Sequence, residues 1–123
     1  MKFKISVTDS FSAAHNLRHS RGKCERLHGH NFKVRITVGA DKLDKLGMVA
    51  DFHDIKNHLR LVLGQLDHNY LNKIPFFKKI NPTSEQIACF IFKGLNKKIK
   101  GRTCRLLEVT VWETEGNEAT YQK

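Results

Sequence analysis

The sequence predicts an α+β domain with the element order ββααββ, in which two helices cover one face of an antiparallel sheet. Three observations predict it. KFKISVT and NFKVRITV alternate apolar and polar residues with the period of two that a half-buried strand requires. Two central segments instead repeat apolar residues at helical spacing, each behind a residue suited to cap a helix. A last alternating run, RLLEVTVWET, is followed by a Gly-Asn turn and a short strand-like tail.

The first strand places Phe3, Ile5 and Val7 on one face, and the same parity runs on through Phe11 and Ala13 to His15. In the second, Phe32, Val34, Ile36 and Val38 point inward while Lys33, Arg35 and Thr37 point outward. Extended backward, that inward parity reaches His30 and then His28. Asp51 is suited to cap a helix carrying Phe52, Ile55, Leu59, Val62, Leu63 and Leu66 on one side, with Asp54 well placed in its first turn and Gly64 loosening its end. After the irregular LDHNYLNKIPFF, Thr83 or Ser84 caps a second helix, Thr83 and Gln86 having capping-box spacing. Ile87, Phe90, Ile91, Leu95 and Ile99 form its buried stripe. The third strand puts Leu107, Val109, Val111 and Glu113 on one face, the turn falls at Gly116 and Asn117, and EATYQ supplies a short fourth strand. No linker or low-complexity tract divides the 123 residues, so one domain spans 1–123.

Composition narrows the function classes. No segment approaches the ~20 apolar residues of a membrane span, and MKFKISVTDS alternates where a secretion signal would be continuously apolar. The reading is a cytoplasmic protein with no membrane partner. Cys24, Cys89 and Cys104 have no CxxC spacing and fit a reducing compartment with free thiols, Cys89 as a small core residue of the second helix. Lys and Arg outnumber Asp and Glu 22 to 12, a formal charge of +10 that favours an anionic partner: nucleic acid, anionic lipid or a phosphorylated small molecule. The dense cluster KGLNKKIKGR reads first as a solvated helix end whose cations complement the helix dipole.

The chemistry concentrates in CERLHGHNF. Same-face residues on a strand stand roughly 6.5–7 Å apart, so His28 and His30 can aim at one point with only Gly29 between them. His15, ending the neighbouring strand on the same parity, supplies a third imidazole. His19 would replace it only if that segment were helical, and strand parity argues against that. The three imidazoles follow inward parity and two of them continue an apolar face, where unpaired rings are costly; three protein ligands with a fourth position open is the arrangement of catalytic zinc. Cys24, four residues before His28, is near enough to fold its thiol over that position, where Lys23, Arg26 and a metal would favour the thiolate. In Asp67-His68 a carboxylate near an imidazole can fix its orientation and stabilise its protonated form. Sequence neighbours need not bond each other, however, and a polar helix end is the plain reading of that dipeptide. Glu113 closes an inward face and needs paired donors: an internal Arg or Lys, or the neighbouring N–H groups of an aminopyrimidinone ring held by both carboxylate oxygens.

Together FSAAHNL, CERLHGHNFKV, GMVADFHDIK, LDHNYLN, NPTSE and the terminal WET resemble, nearly end to end and in order, the 6-pyruvoyl-tetrahydropterin synthase family, particularly its 6-carboxytetrahydropterin synthase branch in the pathway to queuosine. The resemblance implies the tunnelling fold, a ββααββ subunit that assembles into a β-barrel homotrimer, often doubled to a homohexamer, with active sites between subunits. It implies Zn2+ on His15, His28 and His30, Cys24 as a catalytic base, and Asp67 with His68 completing a proton-transfer set for a neighbour's Cys24. Glu113 would hold the pterin ring, with Thr83 and Ser84 near it. The implied substrate is a phosphorylated pterin, 7,8-dihydroneopterin triphosphate, whose tail matches the positive charge, with Arg18, Arg21 and Lys23 as candidate phosphate contacts. The short gap from Cys24 to HGH resembles the carboxy-forming enzymes; a pyruvoyl product is the alternative, and Glu25 beside Cys24 leaves room for side activity on dihydroneopterin. The rival of another class is a basic nucleic-acid-binding domain with a closed, four-ligand structural metal site. The resemblance favours the enzyme and no nucleic-acid partner.

Overall fold

The structure is a computed structural model and describes residues 1–19, 25–99 and 103–123. Alternating burial carries two long strands, β1 (Phe3–His15) and β2 (His28–Ala40), which pair antiparallel along their whole length from Phe3–Ala40 to His15–His28. β3 (Arg105–Thr114) adds to β2, and β4 (Asn117–Gln122) to β3, giving one antiparallel sheet in sequence order. The chain turns between β3 and β4 at Glu115-Gly116, one residue earlier than the Gly-Asn turn expected, because Asn117 already pairs with Thr114.

Both helices lie on the sheet's inward face, α1 (Phe52–Leu63) against β1 and α2 (Ser84–Ile99) against β3 and β4. Asp51 caps α1 by accepting from the His53 N–H at 2.7 Å. Thr83 rather than Ser84 caps α2, its hydroxyl oxygen accepting from Gln86 N–H at 3.1 Å and its carbonyl from Ile87 N–H at 2.8 Å. Gly64 does not loosen the end of α1: it keeps helical dihedrals and donates to the Arg60 carbonyl. Phe32, Val34, Ile36, Val38, Val109 and Val111 from the sheet meet Ile55, Leu59, Val62, Ile87, Ile91 and Leu95 from the helices, all essentially without exposure. No helix among the described residues is long and apolar enough to cross a membrane.

Four expectations change at particular positions. Phe52 is 57 % exposed although it lies on the buried stripe, because it is the first residue of α1 and side chains lean toward a helix's N-terminus, here off the end of the core. Phe90 and Cys89 are half-buried, while Ala88 and Phe92 take the buried positions beside them. In β3 the register against β2 shifts between Thr37 and Val38, so that Leu106 pairs with Val38 and enters the core, not Leu107. Leu107, left unpaired at this bulge, packs over Gly39, where any added Cβ would stand 2.6 Å from its Cδ1.

Past α1 the chain returns to the sheet and lies along the outer edge of β1. His68 N–H donates to the Ser12 carbonyl at 2.6 Å, Ala14 N–H to the Asn69 carbonyl at 3.1 Å, and Ala14 bridges Tyr70 in parallel fashion. The remainder of that edge, Phe3 to Ser10, has no strand partner among the described residues.

The exposure of Phe52 separates cap from core energetically. Asp51→Ala should cost about 0.5–2 kcal/mol by removing the cap, whereas Phe52→Ala should cost less than about 0.5 kcal/mol, as surface substitutions do. Urea unfolding of the two variants measures both, and the reverse order would mean that Phe52 packs after all.

Candidate metal and proton-transfer site

The β1–β2 register sets Phe11 against Phe32, Ala13 against His30 and His15 against His28. Three histidines therefore share the inward face at one end of the sheet, with ring centroids 4.7 to 5.4 Å apart. His15 is buried, and its Nδ1 donates to the Pro82 carbonyl at 2.8 Å, just ahead of α2. His28 Nδ1 donates to the Arg26 carbonyl, also at 2.8 Å. Each bond fixes the tautomer and leaves Nε2 with its lone pair, as a carbonyl on the far ring nitrogen does for a metal-binding histidine. Nε2 of His15 and of His30 are buried with no hydrogen-bond partner among the described residues. A buried nitrogen left in that state costs about 1–3 kcal/mol.

Glu113 completes the cluster. Its carboxylate oxygens stand 3.2 Å from His30 Nε2 and 3.7 Å from His15 Nε2, and one ligand atom from each of the four residues lies within 4.8 Å of every other. Glu113 sits at a second register shift of β3, where Trp112 pairs with Glu118 and Thr114 with Asn117, so it has no partner on β4. Among the described residues its partners are these histidines, and no internal Arg or Lys of the kind the sequence left open is paired with it. The orphaned nitrogens, the two outward-bonded Nδ1 atoms and the adjacent carboxylate fit a divalent metal ion. Burial pushes the His15 pKa below the ordinary histidine value, against the opposing pull of the Pro82 carbonyl and of Glu113, and so favours the neutral ring that a metal needs.

Asp67 and His68 do bond each other. His68 adopts a left-handed backbone, φ 58°, which swings Nδ1 to 2.9 Å from Asp67 Oδ2, while Asp67 Oδ1 accepts from Ser12 N–H at 2.9 Å. That backbone bond is the first cause, and the His68 bond a further one, of a lowered Asp67 pKa. The imidazole is 81 % exposed. It shares with His30 a depression of about 400 Å³ floored by Ala14 and Gly29.

The remaining expected residues divide. The Thr83 oxygen serves as a helix cap and Ser84 opens α2, both adjacent to the Pro82 carbonyl that holds His15. His19 lies beyond β1 with φ 60° and does not join the cluster. Arg18 was a phosphate candidate, but its guanidinium donates to the carbonyls of Ile80 and Asn72, each at 3.0 Å. Cys24, Arg21 and Lys23 lie outside the described residues. Sequence reasoning missed Pro82, Asn72 and Asn81, which hold the segment around His15; they sit in irregular loops where no periodicity marks them.

Residues 4–123 match the family described as 6-pyruvoyl tetrahydropterin synthase. A 6-carboxy-5,6,7,8-tetrahydropterin synthase of Synechocystis is 48% identical over 93 residues, 72% of this chain and 70% of the relative. A dihydroneopterin monophosphate aldolase of Pyrococcus furiosus is 37% identical over 118 residues, 96% and 94% of the two chains. Among solved structures, 6-pyruvoyl tetrahydropterin synthase of Caenorhabditis elegans superposes with a TM-score of 0.83 at 31% identity, covering 98% of this chain and 95% of its own. The ββααββ subunit is thus the tunnelling fold of that structure.

The depressed His15 pKa has a sign that can be checked. Below about 6.5, the ordinary histidine value, the unfolded chain takes up a proton that the buried ring refuses, so stability is lost as pH falls toward the ring's own lower value. Metal-free protein in chelator should melt at lower temperature as pH falls from about 7.5 to about 5.5. His15→Gln should flatten that slope; an unchanged slope would assign the acid sensitivity to other groups.

Proposed function

The chain belongs to the 6-pyruvoyl tetrahydropterin synthase family, and on that premise we propose that it is a zinc-dependent 6-carboxy-5,6,7,8-tetrahydropterin synthase of the queuosine pathway. In this reading it takes 7,8-dihydroneopterin triphosphate and water to 6-carboxytetrahydropterin, acetaldehyde and triphosphate. The observation that carries the proposal is the convergence of three imidazoles, two of them with orphaned buried Nε2 atoms, beside a carboxylate. The short spacing from Cys24 to His28 and the likeness to the Synechocystis relative support the carboxy branch. A pyruvoyl product is the second reading, supported by the closeness of the subunit to the Caenorhabditis elegans enzyme.

Zn2+ held by His15, His28 and His30 would supply Lewis acidity toward oxygens of the substrate side chain. Cys24 takes a proton from substrate carbon as its thiolate. His68, its ring oriented by the ionised Asp67, exchanges protons with the side chain. Glu113 accepts the neighbouring N–H groups of the pterin ring with both oxygens, and Thr83 still has a hydroxyl proton to donate at the ring's edge while its oxygen caps α2. The +10 charge draws in the triphosphate.

The same proposal makes the active unit a homotrimer or homohexamer. β1 and β4 each offer an open sheet edge, and joining the β1 edge of one subunit to the β4 edge of the next is the head-to-tail contact that closes a ring. His68 lies beside the β1 edge with its ring exposed, so it is accessible to serve a neighbour's Cys24. Free thiols at Cys89 and Cys104 accord with a cytoplasmic site of action.

Zinc-loaded protein given dihydroneopterin triphosphate should yield a pterin with the mass of 6-carboxytetrahydropterin; a pyruvoyl mass would overturn the branch, and no turnover the enzyme reading. Glu113→Gln should raise KM about tenfold or more while zinc affinity stays within about threefold. Loss of zinc would instead make Glu113 a ligand. Cys24→Ala and His68→Ala should each be inactive alone and regain partial activity when unfolded and reassembled together. Failure of the mixture, with hetero-oligomers demonstrated, would place both residues in one subunit's site.

A further inference from the structure

The most buried histidine of the cluster, His15, ends β1, and the chain then leaves the sheet. Residues 16 to 18 have no strand partner among the described residues, yet their backbone groups are satisfied, those of Leu17 by the Glu25 carboxylate, which accepts its N–H at 3.2 Å, and by Glu25 N–H, which donates to its carbonyl at 2.8 Å. The Asn72 amide supplies one substitute: its oxygen accepts from Asn16 N–H at 3.0 Å and its nitrogen donates to the Asn16 carbonyl at 2.8 Å. Asn81 repeats the pattern on Arg18, accepting from its N–H at 2.7 Å and donating to its carbonyl at 3.1 Å. An asparagine amide offers one carbonyl and one N–H in a plane, as a peptide does, so each makes the two-way bond of a strand pair where no strand runs. Arg18 ties the two together through the Ile80 and Asn72 carbonyls, and Tyr70 Oη donates to Asn16 Oδ1 at 2.5 Å.

Asn81 immediately precedes Pro82, whose carbonyl orients His15. The clamp therefore fixes both ends of that hydrogen bond: the segment bearing the imidazole and the segment bearing the acceptor. Asn72 is 7 % exposed, so its bonds are sheltered from competing water. We propose that Asn72 and Asn81 are positioning residues for the metal ligand His15, holding its Nε2 at the focus of the cluster and making the metal centre and the start of α2 one rigid unit. The inference rests on His15 being a ligand. Groups that hydrogen-bond the far ring nitrogen of a metal-bound histidine are worth about 10–100-fold in metal affinity, and these residues act one step further out, through the peptide segments they hold.

The test compares the assembled protein with Asn72→Ala, Asn81→Ala and Asn81→Asp, measuring zinc affinity by chelator competition and the visible absorption of the cobalt(II)-loaded protein. Phe92→Leu, in the core between α2 and β4 where Phe92 meets Tyr121, serves as a destabilised control away from the cluster. Each alanine variant should lose about tenfold in zinc affinity and alter the cobalt spectrum. Asn81→Asp, which keeps the acceptor for Arg18 N–H and loses the donor, should fall between wild type and Asn81→Ala. The control should melt earlier with zinc affinity and spectrum unchanged. Wild-type affinity and spectrum in the asparagine variants, or an equal loss in the control, would overturn the positioning role. If Asn72→Ala does not fold, the Asn81 pair decides. Wild-type protein that binds neither metal would instead sink the ligand reading itself, an outcome distinct from the other two.

Discussion

The pairing of β1 with β2 is the constraint on which the cluster depends, and the stacked rings of Phe11 and Phe32, 4.9 Å apart and 11° from parallel, sit at its decisive point. They are cross-strand partners on the inward face, two residues from the Ala13–His30 pair and four from His15–His28. Because side chains alternate along a strand, a slip of β2 by one residue would turn Asn31 and Gly29 inward and send His28 and His30 to the outer face. Burial of Phe32, Val34, Ile36 and Val38 opposes such a slip along the rest of the strand. The apolar core therefore specifies the polar cluster: the energy that hides four side chains also aims the imidazoles.

The Asp67–His68 pair is built by different means. Asp67 and His68 are carried on a return segment that docks on the edge of β1 through Ser12, whose N–H and C=O are both engaged. A left-handed histidine is an uncommon backbone state, maintained here by the bond from His68 N–H to Ser12 and by the Asp67 carboxylate on its ring. The cluster is thus set on the inward face of the sheet, whereas the Asp-His pair is set at its rim, where the imidazole is exposed.

Much of this was legible in the sequence because it follows from parity. Phe11, Ala13 and His15, then His28, His30 and Phe32, could be placed on one face by counting in twos, and Asp51 and Thr83 could be placed by capping chemistry. What escaped did so for two physical reasons. Bulges break the count: an extra residue in β3 exchanged Leu107 for Leu106, and no local signal in RLLEVTV announces it. Loop hydrogen bonds have no period at all, so Pro82, Asn72 and Asn81 were invisible as supports although they lie inside quoted motifs. The carbonyl contacts of Arg18 escaped for the same reason: nothing in the sequence shows that its guanidinium donates to Ile80 and Asn72.

Whether the metal would serve the fold or the chemistry can be argued from where the stability resides. In small zinc domains the ion replaces a hydrophobic core, and removing it unfolds the chain. Here the core is complete without it: sheet and helix residues from Phe32 to Val111 are fully buried against one another, and His15 is only the last member of the β1 face. The cluster lies at the end of the sheet, where β2 from His28 to Phe32 pairs with β1 but, among the described residues, has no partner on β3. Glu113 sits just past the last β2–β3 pair, free of β4 and half-exposed. A structural site would be enclosed by the elements it joins, whereas this one is placed where the ladder opens and a ligand of some size can approach. Its cost, two buried imidazole nitrogens that face the Glu113 carboxylate without a hydrogen bond among the described residues, is one that folding alone gives no reason to retain.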